Sequence, residues 1–63
     1  MCLSTVYVRS GDEQKEIMKD VARIEAEAQG FQLIDLFGKK VFVEGSIKII
    51  DLLDGHFVVL ENE

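Results

Sequence analysis

Residues 12–30, with the sequence DEQKEIMKDVARIEAEAQG, decide whether this chain folds as a mixed α and β domain or as β-strands alone. The segment is rich in Glu, Lys, Ala and Gln, which are good helix formers or tolerated in helices. Four apolar residues recur at helical spacing: Ile17, Val21, Ile24 and Ala28. From residue 22 to residue 28, however, small or apolar residues alternate with charged ones, as in a strand with one buried face. Helix propensity alone predicts an α+β domain, and the alternation keeps an all-β fold open.

The segments on either side of residues 12–30 predict short β-strands. Runs rich in β-branched, aromatic and leucine residues occupy residues 3–9, 31–37, 40–44, 46–53 and 56–61. Glycines divide these runs, as in small barrels and sandwiches. Asp54-Gly55 predicts a two-residue hairpin turn between the last two runs, and Gly38-Lys39 predicts another tight turn.

The chain length of 63 residues predicts one domain, residues 1–63, with a small core. Such a core supplies roughly 3–5 kcal/mol, so domains of this size are usually reinforced by disulfides, a metal or a partner chain. The single cysteine, Cys2, cannot close an intrachain disulfide. Residues 46–53 carry apolar side chains on both strand faces, with Ile47 and Ile49 on one and Ile50 and Leu52 on the other. A second subunit covering one face is the simplest explanation, so we expect a homodimer.

Charge and composition argue against several classes of function. There are 12 acidic and 7 basic residues, for a net charge of −5, which opposes nucleic-acid binding. No apolar run approaches the roughly 18 residues of a membrane span, and no apolar run follows a basic start as in a signal peptide. A lone thiol is typical of the reducing cytoplasm, so we expect a cytoplasmic protein.

The sequence does not predict an enzyme. The only histidine, His56, follows the predicted hairpin turn and has no evident nucleophile beside it. The chain has no glycine-rich phosphate loop, and one Cys with one His cannot supply the four ligands of structural zinc.

Cys2 is the residue whose placement suggests chemistry. From spacing alone, the commoner role is an inert apolar residue that starts the first strand. The alternative is a metal site: removal of Met1 would leave an α-amine and a thiol on Cys2, with the Leu3 amide as a further donor. Two such chain starts at a dimer axis would give two nitrogen and two sulfur donors, which suit Ni(II) or Cu(II) better than tetrahedral zinc.

Three stretches of the sequence carry a resemblance to a known family: MCLSTVYV at the start, DVARIEAE, and LIDLFGKKVFVEGSIKIIDLLDGHFVVLE. Its marks are the Met-Cys start, DLFG at residues 35–38, VEG at 43–45 and IKIIDL at 47–52. In their order and spacing these stretches resemble the CooT-type nickel-binding protein family, over essentially the whole chain.

The resemblance implies an all-β fold, a small SH3-like barrel of about six to seven short antiparallel strands that forms a homodimer. It implies that residues 12–30 form strand, turn and strand, with residues 16–18 and 21–28 as the two strands. It also implies that Cys2 carries nickel at the dimer interface, and that the protein assists nickel insertion into carbon monoxide dehydrogenase.

Together these arguments predict a homodimeric Ni(II) metallochaperone or nickel buffer with Cys2 and Leu3 as metal-binding residues. His56 is a further candidate ligand for the metal. The alternatives are an RNA-binding small barrel, since some relatives of that family carry such a label, and a structural or interaction module without metal. Nine apolar residues are expected to form the barrel core and the interface: Val6, Val8, Ile24, Leu33, Leu36, Val41, Ile49, Val58 and Leu60.

Overall fold

The computed structural model describes residues 3–62, and within that range all regular secondary structure is β-strand. The six strands are β1 (Ser4–Ser10), β2 (Glu13–Ala26), β3 (Gly30–Asp35), β4 (Lys40–Glu44), β5 (Ser46–Asp51) and β6 (Phe57–Glu61). The all-β prediction is confirmed, and the helical interpretation of residues 12–30 is wrong. Across residues 3–62 the structure has no helix of the length and apolarity that would cross a membrane.

The strands form one mixed sheet in the order β4-β3-β2-β1-β6-β5. Neighbouring strands are antiparallel except β1 and β6, which run parallel, so the expectation of antiparallel pairing throughout is wrong for this pair. The edge strands β4 and β5 follow each other in the chain with only Gly45 between them. The sheet therefore curls until its edges adjoin at Gly45, but the pairing within residues 3–62 does not close it into the expected barrel.

Most of residues 12–30 lies in one long strand, β2 (Glu13–Ala26), where two strands separated by a turn were expected. The first part of β2 pairs with β1 and the second with β3, and Val21 is shared, since it pairs with both Ser4 and Asp35. Asp20 next to it has a positive φ of 55°, and the register with β3 shifts between Val21 and Arg23. These irregularities are β-bulges, which bend a strand and let it serve two parts of a curled sheet.

The bulges also explain the helical spacing of the apolar residues in β2. Val6 pairs with Met18 and Ser4 pairs with Val21, so two steps on β1 correspond to three steps on β2. Met18 and Val21 are both buried in the core, and Ile24, three residues further on, packs against it. A spacing of three arises here from an extra residue in a strand, and strand pairing overrides the helix propensity of the segment.

The core lies on one face of the curled sheet and is built from β1, β2, β3 and β6. Its buried members are Val6, Met18, Val21, Leu33, Val58 and Leu60, with Val8, Ile24, Phe31, Val41 and Val43 packed against them. Of the nine residues expected in the core or interface, seven are in or against this core. Leu36 and Ile49 are instead 54% and 40% exposed.

Strand β5 also departs from simple alternation. Its register with β6 shifts between Ile47 and Ile49, so Ile47 pairs with Leu60 and Ile49 pairs with Val59. Adjacent residues of β6 point to opposite faces, and cross-strand partners share a face. The bulge at Lys48 therefore puts Ile47 and Ile49 on opposite faces, where the sequence predicted one face for both.

Candidate functional site

Cys2, the main predicted metal ligand, lies outside the described residues, and the candidate site is therefore located from Leu3 onward. Leu3 is half-buried and directly precedes β1. The Thr5 amide donates a hydrogen bond of 3.2 Å to the His56 carbonyl, and Ser4 pairs with Val21 on the other side. The start of β1 is thus held between β2 and the segment that precedes β6.

Two loops flank the start of β1. Residues 36–39 follow Asp35, which pairs with Val21, and Val21 pairs with Ser4. Residues 52–56 follow Asp51, which pairs with Phe57, and Phe57 pairs with Thr5. Each loop therefore begins two strand spacings, about 10 Å, from the start of β1. We call residues 36–39 the β3–β4 loop and residues 52–56 the β5–β6 loop.

In both loops, the aspartate that precedes the loop accepts hydrogen bonds from backbone amides within it. Asp35 Oδ1 accepts hydrogen bonds of 2.9 Å from the Phe37 and Lys39 amides. Asp51 Oδ1 accepts hydrogen bonds from the amides of Leu53 (3.1 Å) and Asp54 (2.9 Å). Aspartate commonly organises turns by accepting from backbone N–H groups further along the chain. The β5–β6 loop has five residues, so the predicted two-residue hairpin at Asp54-Gly55 is wrong.

The hydrogen bonds in the β5–β6 loop alter the acidity of the carboxyl group that receives them. The amides of Asp54 and Leu53 hold the pKa of Asp51 below its usual value because they stabilise the carboxylate form. The Gly55 amide and the nearby His56 act in the same direction, and partial desolvation opposes them. Asp51 is therefore an ionised anchor of this loop in neutral solution.

The aspartates satisfy backbone groups while apolar side chains on the same loops remain in solvent. Four side chains are exposed there: Leu36 (54%), Phe37 (85%), Leu52 (69%) and Leu53 (86%). The sequence predicted Leu36 in the barrel core or interface and residues 52 and 53 on the faces of a strand. The sequence did contain a signal for loops, since DLFG and DLLDG each begin with an aspartate and two apolar residues and end in a glycine.

His56 is the other predicted site residue whose position the structure describes. It is half-buried, has a positive φ of 51°, and its carbonyl accepts from Thr5. Its backbone thus lies beside the start of β1. Among residues 3–62, no three His, Cys, Asp or Glu side chains are grouped as a metal site.

A groove of about 590 Å³ lies elsewhere, where the edge strands adjoin at Gly45. Glu27, Glu44, Ser46 and Asn62 contribute to its walls. Gly45 is next to Glu61, at the opposite end of β6 from Phe57. The groove is therefore separate from the start of β1 and from the two loops beside it.

A family model described as CO dehydrogenase accessory protein CooT matches residues 1–61. The chain belongs to the CooT family. The match includes Cys2 and Leu3 as well as all six strands. The crystal structure of a candidate CooT from Carboxydothermus hydrogenoformans is similar to this chain with a TM-score of 0.74 and 24% identity, over 98% of each chain. That likeness shows that the two proteins share a fold over nearly their whole length. A search of curated proteins finds no match to this chain.

Proposed function

We propose that this CooT-family protein binds Ni(II) through Cys2 and serves as a nickel metallochaperone or buffer for the maturation of CO dehydrogenase. The observation that carries the proposal is the family match over residues 1–61, which starts at the Met-Cys sequence and whose description is an accessory protein of that enzyme. An accessory role also fits a chain whose proposed metal donors lie on two adjacent residues, Cys2 and Leu3. In this proposal the protein carries metal and catalyses no reaction.

The donors at the chain start suit nickel. Once Met1 is removed, the Cys2 amine and thiolate can close a five-membered chelate ring, and the Leu3 amide nitrogen is a third donor. A free α-amine has a pKa of roughly 7.7–8.0 and a thiol about 8.5, so a metal needs to displace their protons only slightly below the pH of their natural loss. Nitrogen and thiolate donors in a plane are a preferred set for Ni(II).

A second copy completes this donor set. One chain offers a single thiolate, so a planar four-coordinate site with two sulfur donors takes two chains, each giving the Cys2 thiolate and one nitrogen, that of the Cys2 amine or of the deprotonated Leu3 amide. Exposed apolar loops on either side of the start of β1 support this part of the proposal. Metal that binds only the dimer would stabilise it, so nickel affinity and dimerisation are coupled.

Nickel titration of the reduced protein tests the proposal, with removal of Met1 verified by mass spectrometry. Thiolate-to-nickel charge-transfer absorption should appear on titration and be abolished in Cys2→Ser. Leu3→Pro, which removes one amide N–H, should change the spectrum where the Leu3 amide supplies the nitrogen and leave it unchanged where the Cys2 amine does. His56→Ala should leave the spectrum unchanged, because His56 is not a ligand of the proposed site. Equal nickel binding by wild type and Cys2→Ser would refute the proposal.

A further inference from the structure

The groove at Gly45 has walls that backbone hydrogen bonds hold in place. One wall is the turn between β2 and β3, and the other is the junction of β4 with β5. The Glu27 amide donates a hydrogen bond of 2.8 Å to the Gly30 carbonyl within the turn, and the Gly45 amide donates to the Gln29 carbonyl at 3.3 Å. The second bond joins the two walls. The volume of about 590 Å³ lies in the range of ligand pockets.

Two apolar side chains form the floor of this groove. Phe31 is half-buried and packs against the core. Ile47 pairs with Leu60, which is buried in the core, but Ile47 itself is 42% exposed. Cross-strand partners share a face of the sheet, so Ile47 lies on the core face. The groove is therefore the mouth of the curled sheet at its Gly45 end, and the mouths of barrels are common places for ligands.

The rim of the groove is acidic and rich in hydrogen-bond acceptors. Glu27 on one wall and Glu44 on the other each supply an exposed carboxylate. Ser46 and Asn62 add a hydroxyl and an amide oxygen. Among the described residues that line the groove, none is Lys or Arg. A ligand with a cationic group and an apolar part therefore complements both the rim and the floor.

We propose that this groove binds an arginine side chain on an extended segment of a partner protein. A guanidinium group is planar and has five N–H donors, so it can bond to the carboxylates of Glu27 and Glu44 and to neighbouring oxygens at the same time. It also stacks on aromatic rings, and Phe31 provides one in the groove. A lysine ammonium is a more compact and more strongly hydrated charge, so it fits the site less well.

The strands beside the groove favour a polypeptide over a free small molecule. Within residues 3–62, β4 and β5 each have one neighbour in the sheet, so each leaves backbone N–H and C=O groups unpaired along one edge. β5 carries a bulge at Lys48, which discourages pairing with another chain, whereas β4 is in regular register with β3. β4 ends at Glu44, in the groove. An extended segment that pairs with β4 can therefore place a side chain in the groove.

The groove is distant from the proposed nickel site. β6 runs from Phe57, which pairs with Thr5 at the start of β1, to Glu61, which is next to Gly45. A strand of this length spans about 13 Å. The inference therefore goes beyond the proposed function and does not depend on nickel binding.

NMR titration of isotope-labelled protein with the capped pentapeptide Thr-Val-Arg-Val-Thr tests the inference. Amide shifts should change around the groove, with a dissociation constant on the order of 100 µM. The peptide with citrulline, which has the shape of arginine without its charge, should bind at least about 10-fold more weakly. The lysine peptide should bind about 3-fold more weakly. N-acetyl-arginine amide cannot pair with β4 as a strand, so it should also bind at least about 10-fold more weakly.

Matched substitutions in the protein locate the site. Glu27→Gln and Glu44→Gln should each raise the dissociation constant about 3-fold, whereas Glu16→Gln, the same change on β2 outside the groove, should leave it within about 1.5-fold. Ile47→Ser should raise the constant about 5-fold, and Ile49→Ser, on the other face of β5, should leave it within about 1.5-fold. All five side chains are exposed, so circular dichroism should show intact folding.

Three results would overturn the inference: no binding at millimolar peptide, equal affinity for the arginine and citrulline peptides, or a loss in Glu16→Gln as large as in Glu27→Gln. N-acetyl-arginine amide that binds as tightly as the peptide would also overturn it, because the groove would then be a site for a free small molecule. Cys2→Ser should bind the peptide as wild type does. A failure of peptide binding is therefore distinguishable from a failure of the nickel proposal.

Discussion

Gly45 is the residue on which the curl of the sheet depends. It joins the two edge strands, has a φ of 139°, and its amide donates to the Gln29 carbonyl at 3.3 Å. A Cβ at this position would overlap the Glu61 carbonyl oxygen. Both the backbone conformation and the close approach of β6 therefore require glycine here.

Replacement of Gly45 by alanine should cost at least about 2 kcal/mol in the free energy of unfolding, because strain and steric overlap add. Gly11→Ala is the matched control, since Gly11 has a φ of 62° but open space around it. Its cost should be about 1 kcal/mol, from backbone strain alone. Urea unfolding of both variants measures the difference, and equal losses would show that the contact with Glu61 is unimportant.

Asp51 makes the β5–β6 loop sensitive to acid. Its pKa is lowered in the folded protein, so the stabilisation is fully present above the unfolded value of 3.8 and is lost as the pH falls through the folded value below it. The Leu53 and Asp54 amides, which donate to its carboxylate, should lose protection from hydrogen exchange in that range. Exchange measured by NMR and corrected for intrinsic rates checks this. Asp51→Ala should lower protection only at pH values above the folded pKa and remove its acid dependence, and unchanged protection there would contradict the role given to Asp51.

At the scale of the element, β2 shows what sequence patterns reveal and what they conceal. The alternation after Ala22 correctly indicated a strand, but the bulges could not be located from it. They arise because Val21 must pair with both β1 and β3, which is a property of the whole sheet. The apolar spacing of three then resembles a helix, although Met18 and Val21 lie on one face of a strand.

Asp20 offers a direct test of the bulge in β2. Its φ of 55° is left-handed, a region that glycine enters without strain and alanine does not. We expect Asp20→Gly to be more stable than Asp20→Ala by about 1 kcal/mol. In a regular strand the order would be reversed, because glycine weakens strand interiors. Thermal or urea unfolding measures the stabilities of the two variants. A more stable alanine variant would contradict the bulge at Asp20.

At the scale of the molecule, the sequence predicted the all-β class, most of the strands and seven of the nine core or interface residues. It did not predict the parallel pairing of β1 with β6, because contacts between the two ends of the chain leave no local pattern. The chemistry proposed for Cys2 stays a prediction from sequence, based on an amine and a thiol on one residue. The sequence did not predict that the two apolar loops lie on either side of the start of β1, because that placement depends on the strand order.

The central claim is that two chain starts share one nickel ion, and native mass spectrometry of the nickel-loaded protein tests it most directly. We predict a dimer of chains lacking Met1 that holds one Ni(II), and a nickel-free dimer for Cys2→Ser. The same spectrum reports the mass of the chain, the number of subunits and the number of metal ions. Nickel bound to the monomer, two independent nickel ions per dimer, or nickel retained by Cys2→Ser would contradict the account.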